Sequence, residues 1–254
     1  MMTQTRTPWQ RVEGTWVKRD DLFELDGSRG GKVRTCLALA TRAGVTGLVT
    51  AGSRQSPQVN IVATVAEHLG LPCEVHVPAA NKPFTPELEN ARDRGARVVE
   101  HRPGHNSVIV SRARRAAATL GWTEIPFGME CEEAVHQTAS QVADIPDDVE
   151  RIVMPVGSGM SLAGVFAGLQ LLGSDLPILG VVVGASPEKR LYRYAPMWRF
   201  GDVELVNAGL DYHASAPVTR LGDLPLDPIY EAKCLPFLRA GDALWVVGRR
   251  ESAN

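Results

Sequence analysis

The sequence predicts an α/β protein built on mostly parallel sheets. Two observations carry that reading. Short apolar runs of strand length alternate with amphipathic segments of helix length along most of the chain. A glycine-rich turn, Val156-Gly157-Ser158-Gly159-Met160-Ser161-Leu162-Ala163-Gly164, also joins one such run to the next helical segment. Repeated strand–helix–strand units cross over right-handedly and cover both faces of a sheet, so each domain is expected to have three layers, αβα. A chain of 254 residues is one large domain or two small ones.

The elements follow in order. Gly47-Leu48-Val49-Thr50-Ala51 reads as a buried strand. Ser56 and Pro57 open a helix to about His68, because serine suits an N-cap and proline the first helical turn. Gly70 stops it. Residues 73–77 form the next strand, 86–94 a helix, and 96–100 a strand after Gly95. A helix over 107–120 ends at Gly121, and another runs from 132 to about 142. Arg151-Ile152-Val153-Met154-Pro155-Val156 is a buried strand, with its helix over 161–172 and a further strand over 177–183. The proline-rich stretch 186–228 is less regular and reads as a partly ordered excursion. Asp227-Pro228 starts a last helix, and residues 243–247 close the chain's pattern as a strand.

Composition narrows the function. Hydrophobic residues make up 44% of the chain, enough for a real core, and the formal net charge of -2 gives no field that would draw nucleic acid or an acidic membrane. The run Arg112-Ala113-Arg114-Arg115 reads as a solvated helix face. The start of the chain lacks the apolar segment of a secretory signal, and no apolar run reaches the ~18 residues needed to span a bilayer. Cys36, Cys73, Cys131 and Cys234 form no CxxC pair, which suits a reducing compartment. The expectation is a cytoplasmic protein with no membrane partner. His101 and His105 lie in a turn and do not share a helix face, and Cys131 with His136 reads as structural, so no metal site is expected. Trp9, Trp16, Trp122, Trp198 and Trp245 read as core or interface residues.

Two motifs carry chemistry. The Gly157–Gly164 turn lets backbone N–H groups approach an anion at a helix N-terminus, with Ser158 and Ser161 as further donors. A dinucleotide is disfavoured, since the next strand ends Val183-Gly184-Ala185-Ser186 without the acidic residue that a ribose would need. The other motif is Gly30-Gly31-Lys32-Val33-Arg34, a lysine in a glycine-flanked turn before a helix. A lysine can form a Schiff base with an aldehyde, and a glycine loop can hold that aldehyde's phosphate. Together they point to pyridoxal 5'-phosphate. Lys18, in the extended stretch Trp16-Val17-Lys18-Arg19-Asp20-Asp21, is the rival lysine.

Five motifs then fall in register: Arg19-Asp20-Asp21, Gly31-Lys32-Val33-Arg34, Gly52-Ser53-Arg54-Gln55-Ser56-Pro57-Gln58, the glycine loop, and Asp227-Pro228-Ile229-Tyr230-Glu231. In that order they resemble the fold type II (tryptophan synthase β-like) pyridoxal-phosphate enzymes, from about residue 15 to 247. The likeness is greatest to the 1-aminocyclopropane-1-carboxylate deaminase / D-cysteine desulfhydrase branch. The resemblance implies a large cofactor-binding domain of residues 1–43 and 146–254 with a small inserted domain of residues 44–145. It makes Lys32 the lysine of the internal aldimine and a proton shuttle. It places Ser56 near the substrate carboxylate, Gly157, Ser158, Gly159, Met160 and Ser161 around the phosphate, and Tyr230 close to substrate. Glu231 becomes the acidic partner of the pyridine nitrogen, and Tyr212 a second active-site tyrosine. A carboxylate at that nitrogen favours the protonated ring and a strong electron sink, which suits carbanion chemistry at Cα.

Three departures from the family pattern shape the expectation. Pro57 replaces an asparagine that donates to the cofactor's phenolic oxygen, leaving Gln58 or Asn60 for that role. Arg54-Gln55 puts a guanidinium near the expected substrate carboxylate, where it either binds the substrate or is solvated. The chain is also shorter than typical members, which implies an open cleft and room for a bulky conjugate. The expected activity is a lyase or deaminase acting on an amino acid, in a homodimer. The alternatives are a decarboxylase of an amino-acid conjugate, including an amino-acid-modified nucleobase in DNA, and an inactive pyridoxal-phosphate-binding protein.

Overall fold

A computed structural model describes residues 6–102 and 104–248. The chain divides into two compact units, Met1–Phe23 with Ala134–Asn254, and Glu24–Glu133. In chain order, β1 (Trp9–Val12) and β2 (Thr15–Arg19) form an antiparallel hairpin. It turns at Glu13 and Gly14 with φ of 47° and 84°, the positive values that a two-residue hairpin of matching twist requires. The short hairpin β3 (Glu24–Leu25) and β4 (Ser28–Arg29) leads into α1 (Gly31–Ala40). Next come β5 (Leu48–Ala51), α2 (Pro57–His68), β6 (Cys73–Pro78) and α3 (Pro86–Asp93). They are followed by β7 (Arg97–His101), α4 (Asn106–Leu120), β8 (Thr123–Ile125) and α5 (Glu132–Ala139). The remainder is β9 (Arg151–Val156), α6 (Met160–Leu172), β10 (Ile178–Val182), α7 (Glu188–Tyr194) and β11 (Val203–Asn207). The small hairpin β12 (Arg220–Leu221) and β13 (Leu224–Pro225), a 3-10 segment Glu231–Phe237, and β14 (Asp242–Val246) complete the described chain.

In the unit of residues 24–133 four parallel strands run in the order β7-β6-β5-β8. All four residues of β5 are buried, so both sheet faces are covered, as the three-layer expectation requires. On α4, Ile109, Ala113 and Ala117 recur at helical spacing and pack on Val49 and Ala51. Gly47 passes under Trp122, where any Cβ would meet the indole at 2.4 Å. Residues 24–43, expected with the larger domain, are compact with this unit, because α1 buries Val33, Cys36 and Leu39 and packs on α2.

In the other unit six strands run in the order β1-β2-β14-β9-β10-β11, parallel except for edge strand β1. Val17, Val153, Leu179, Val181, Leu244 and Val246 of this sheet form one core with Leu226, Ala232 and Cys234. Residues 134–145 belong here through α5, whose Thr138 packs on Gly164 of α6. Lys18 is 1% exposed. Its Nζ donates to the carbonyl of Thr7 at 2.6 Å and lies 5.4 Å and 5.9 Å from the rings of Trp9 and Trp245. It is a strut of the β1–β2–β14 corner, which removes it as a rival to Lys32.

Three sequence expectations are corrected. The 186–228 stretch holds α7 and the sixth strand, β11, parallel to β10. Its sequence Val-Glu-Leu-Val-Asn mixes polar residues into an edge strand and lacks the apolar run of the buried strands. The helix expected from 227 is the 3-10 segment starting at Glu231. Pro236 within it has no N–H for an α-helical bond. The 132–142 helix ends at Ala139.

The α5–α6 contact is tight enough to test. A Cβ on Gly164 would stand 2.4 Å from Thr138 Cβ and 2.8 Å from its Cγ2. We expect Gly164→Ala to lower unfolding stability by about 1–3 kcal/mol, the range for overpacking a close contact. Urea denaturation checks this; an unchanged midpoint would show that α5 yields freely.

Candidate active site

The glycine turn sits where the fold makes an anion site, beyond the carboxyl end of β9 and at the N-terminus of α6. Gly159 takes φ 89°, a left-handed conformation that bends the backbone into the helix, and a Cβ there would lie 2.9 Å from Pro187 Cβ. Ser158 is exposed in the turn, and Met160 and Ser161 form the first turn of α6. The first N–H groups of a helix have no intrahelical partners; here that of Met160 donates to Ser158 Oγ at 3.5 Å. Gly157 is required for a different reason. A Cβ there would come 2.9 Å from Cε1 and 3.1 Å from the hydroxyl of Tyr230, so that phenol lies across bare backbone.

Beside this turn is a cavity of about 470 Å³ lined by Gly157, Ser158, Val183, Gly184, Tyr212 and Tyr230, among others. The hydroxyls of Tyr212 and Tyr230 meet at 3.1 Å with their rings edge to face at 84°. The structure therefore brings together two tyrosines that are 18 residues apart in sequence, beside the glycine loop.

Glu231 follows Tyr230 and is 1% exposed. Its Oε1 accepts the backbone N–H of Val247 at 3.0 Å and of Gly248 at 3.3 Å, at the end of β14. Its Oε2 is buried with no partner among the described residues. Burial, with Asp227 nearby, pushes its carboxyl up to about 8 against the pull of the backbone N–H groups. A buried acceptor held in place and left unfilled is what a ring N–H donor would complete. This orphaned oxygen and the Gly157–Tyr230 cradle fit a pyridine cofactor with a phosphate tail.

The other predicted residues lie in the unit of residues 24–133. Lys32 is the second residue of α1, exposed, after Gly30 at φ 97°. Ser56 caps α2, its Oγ accepting the N–H of Gln58 at 3.3 Å, and Pro57 sits in the first turn as its fixed φ favours. Gln55 is exposed beside it.

Two predicted site residues are bonded within the protein. Gln58 is buried and spent: Nε2 donates to Thr50 Oγ1 and the carbonyl of Pro126, both at 2.8 Å, and Oε1 accepts the N–H of Gly128 at 2.7 Å. It locks α2 to the 126–128 turn and has no donor for a cofactor. Asn60 differs, since its Oδ1 is buried without a partner among the described residues. Arg54 is spent as well. Its guanidinium pairs with Glu100, donates to the carbonyls of Lys82 at 3.2 Å and Pro83 at 2.9 Å, and stacks over Phe84. It pins one loop to another instead of offering a fork to a substrate carboxylate.

Sequence reading passed over Lys233. A lysine two residues after a glutamate looks like any surface pair, yet it is 1% exposed. Only the fold shows that its amino group is enclosed, against the carbonyls of Asp211 and Tyr212.

Comparisons with known proteins bear on the family and the fold. The chain is 30% identical over 181 residues to a putative 1-aminocyclopropane-1-carboxylate deaminase of Thermotoga maritima, covering 66% of this chain and 58% of that protein. It is 30% identical over 201 residues to a D-cysteine desulfhydrase of Yersinia pestis, covering 69% and 58%. The chain thus spans less than two thirds of the length of these curated relatives. Among solved structures, an ACC deaminase homologue superposes with a TM-score of 0.79 at 20% identity, covering 96% of this chain and 89% of that one. A threonine deaminase of Solanum lycopersicum gives 0.71 at 15% identity, covering 97% and 84%. These establish the fold. Residues 2–199 match the family described as pyridoxal-phosphate dependent enzymes, and the chain belongs to that family.

Proposed function

We propose that this protein is a pyridoxal-phosphate-dependent lyase or deaminase that breaks a bond at Cα of an amino acid. The observation that carries the reading is the Glu231 carboxyl, one oxygen bonded by two backbone N–H groups and the other buried and unfilled. Pyridoxal phosphate, when bound, supplies an aldehyde for a lysine and a ring that accepts the electron pair released at Cα. The naming of two relatives as deaminase and desulfhydrase supports the same class.

This chain's residues take the following parts. Lys32 is the attachment lysine; a lysine amine on a flexible stem suits covalent exchange with an incoming amine. The N–H groups of Gly157 to Ser161 hold the phosphate at the α6 N-terminus. Glu231 holds a proton at the ring nitrogen. Its buried carboxylate is stable as an anion only opposite a cation, so it favours the charged ring. Tyr230 packs over Gly157 with Tyr212 as its hydroxyl partner. Lys32 Nζ and Ser56 Oγ are the groups that move the proton at Cα. Ser56 accepts from Gln58 N–H, which leaves its own proton to donate.

Two measurements test this reading. After incubation with pyridoxal phosphate and borohydride reduction, peptide mass spectrometry should find the label at Lys32 and not at Lys18, Lys82, Lys189 or Lys233. Lys32→Ala should lack both the label and the visible absorption band. Label elsewhere, or none, would remove the central assignment.

The second concerns Glu231 in the cofactor-free protein. Its folded pKa of about 8 lies above the unfolded value, so the folded state holds the proton more tightly. That contribution is present at pH below the unfolded value and is lost as pH rises towards about 8, with a slope of up to about 1.4 kcal/mol per pH unit. Glu231→Gln should remove this slope. Parallel wild-type and variant stability curves between about pH 5 and 8 would contradict it.

A further inference from the structure

Lys233 is enclosed within the unit that carries the glycine loop, and no part of the proposed chemistry uses it. Its Nζ donates to the carbonyl of Asp211 at 2.8 Å and to that of Tyr212 at 3.3 Å. Its backbone N–H donates to the carbonyl of Tyr230 at 3.1 Å. One residue thus holds the main chain of both tyrosines whose hydroxyls meet at 3.1 Å.

We propose that Lys233 is a positioning residue for the Tyr212–Tyr230 pair, and that this pair's geometry depends on its amino group. The segment around Tyr212 belongs to no helix or strand. Its local bonds are an Asp211 Oδ1 that accepts the N–H of His213 at 2.9 Å, and an Asp211 carbonyl that accepts the N–H of Ala214 at 3.1 Å. These close a turn; the backbone ties outside it are Ala208 N–H to the Val182 carbonyl at 3.0 Å and Ala216 N–H to the Pro228 carbonyl at 2.8 Å, each four residues from Tyr212. Tyr212 itself is 38% exposed, with its ring against Gly184 and edge-on to His213. Little apolar burial therefore holds the segment. Lys233 supplies the anchor between those two ties, at Asp211 and Tyr212 themselves, and the dependence is mutual. A buried amino group without acceptors is strongly disfavoured, and these carbonyls are its partners. Removing the amino group releases the Tyr212 main chain, and the phenol drifts from Tyr230. A displacement of about 1 Å at a reacting group is enough to lower a rate on the order of 100-fold. The kinetic consequence rests on the proposed function; the structural one does not.

The chain has four tyrosines, so 3-fluorotyrosine labelling gives a countable 19F NMR spectrum. Tyr212→Phe assigns one signal and identifies Tyr230 by its response. In Lys233→Met we expect the Tyr212 and Tyr230 signals to shift or broaden while those of Tyr192 and Tyr194 stay. Should that variant not fold, Lys233→Gln, which keeps a donor on a shorter stem, should move the same two signals less. Unmoved Tyr212 and Tyr230 signals in either folded variant, or four signals moving alike, would overturn the proposal.

In the holoenzyme with D-cysteine as probe, Lys233→Met and Tyr212→Phe should each lower kcat on the order of 100-fold, and the double variant no further. Additive losses would overturn the proposal. Wild-type protein that turns over no amino acid would instead sink the functional reading, and the NMR result would still decide the role of Lys233.

Discussion

The Glu231 carboxyl is fastened by two backbone N–H groups where β14 ends, and the arrangement of the site's unit can be traced from that contact. A carboxyl this deeply buried is tolerated only where donors reach it. The donors come from the residues just after a central parallel strand, where the ladder has stopped consuming N–H groups. The segment that delivers Glu231 is short and 3-10 in character, with Tyr230 just before it and Lys233 within it. Tyr230 reaches Gly157, Lys233 reaches the Tyr212 segment, and Ala232 and Cys234 enter the sheet core.

Close backbone approach is the second constraint on this unit. Gly157 admits a phenol, Gly159 admits Pro187, and Gly164 and Gly168 admit α5, with clashing distances of 2.4 to 2.9 Å for any added Cβ. The glycines of this one turn and its helix therefore serve different contacts: an aromatic ring at Gly157, a proline at Gly159 and helix packing at Gly164. A motif search sees them as one pattern.

The unit of residues 24–133 uses its polar residues for internal order. Gln58 and Arg54 each sit in a stretch that reads as part of a site, and each is consumed by partners remote in sequence: Thr50, Pro126 and Gly128 for one, Glu100, Lys82 and Pro83 for the other. An amide or guanidinium bonded to several partners stiffens a loop and has less capacity left to bind a ligand. Ser56 differs, because its cap bond from the N–H of Gln58 uses only a lone pair of the hydroxyl.

Much of the architecture was legible from local pattern. Buried parallel strands announce themselves as apolar runs, Ser56-Pro57 marks a helix start through hydrogen-bonding and φ preferences, and Gly121 ends α4 in the left-handed conformation at φ 67°. The sequence alone also determined the glycine turn, the lysine turn and the identity of Glu231 and Tyr230, since these are questions of residue type and order. The strand β11, the 3-10 form of residues 231–237, the sequestering of Gln58 and Arg54, the burial of Lys18 and Lys233, and the meeting of Tyr212 with Tyr230 were decided by tertiary structure. Each depends on which distant donor or acceptor comes within about 3 Å, and a polar side chain carries no local signal of whether its partner will be water or the protein's own backbone.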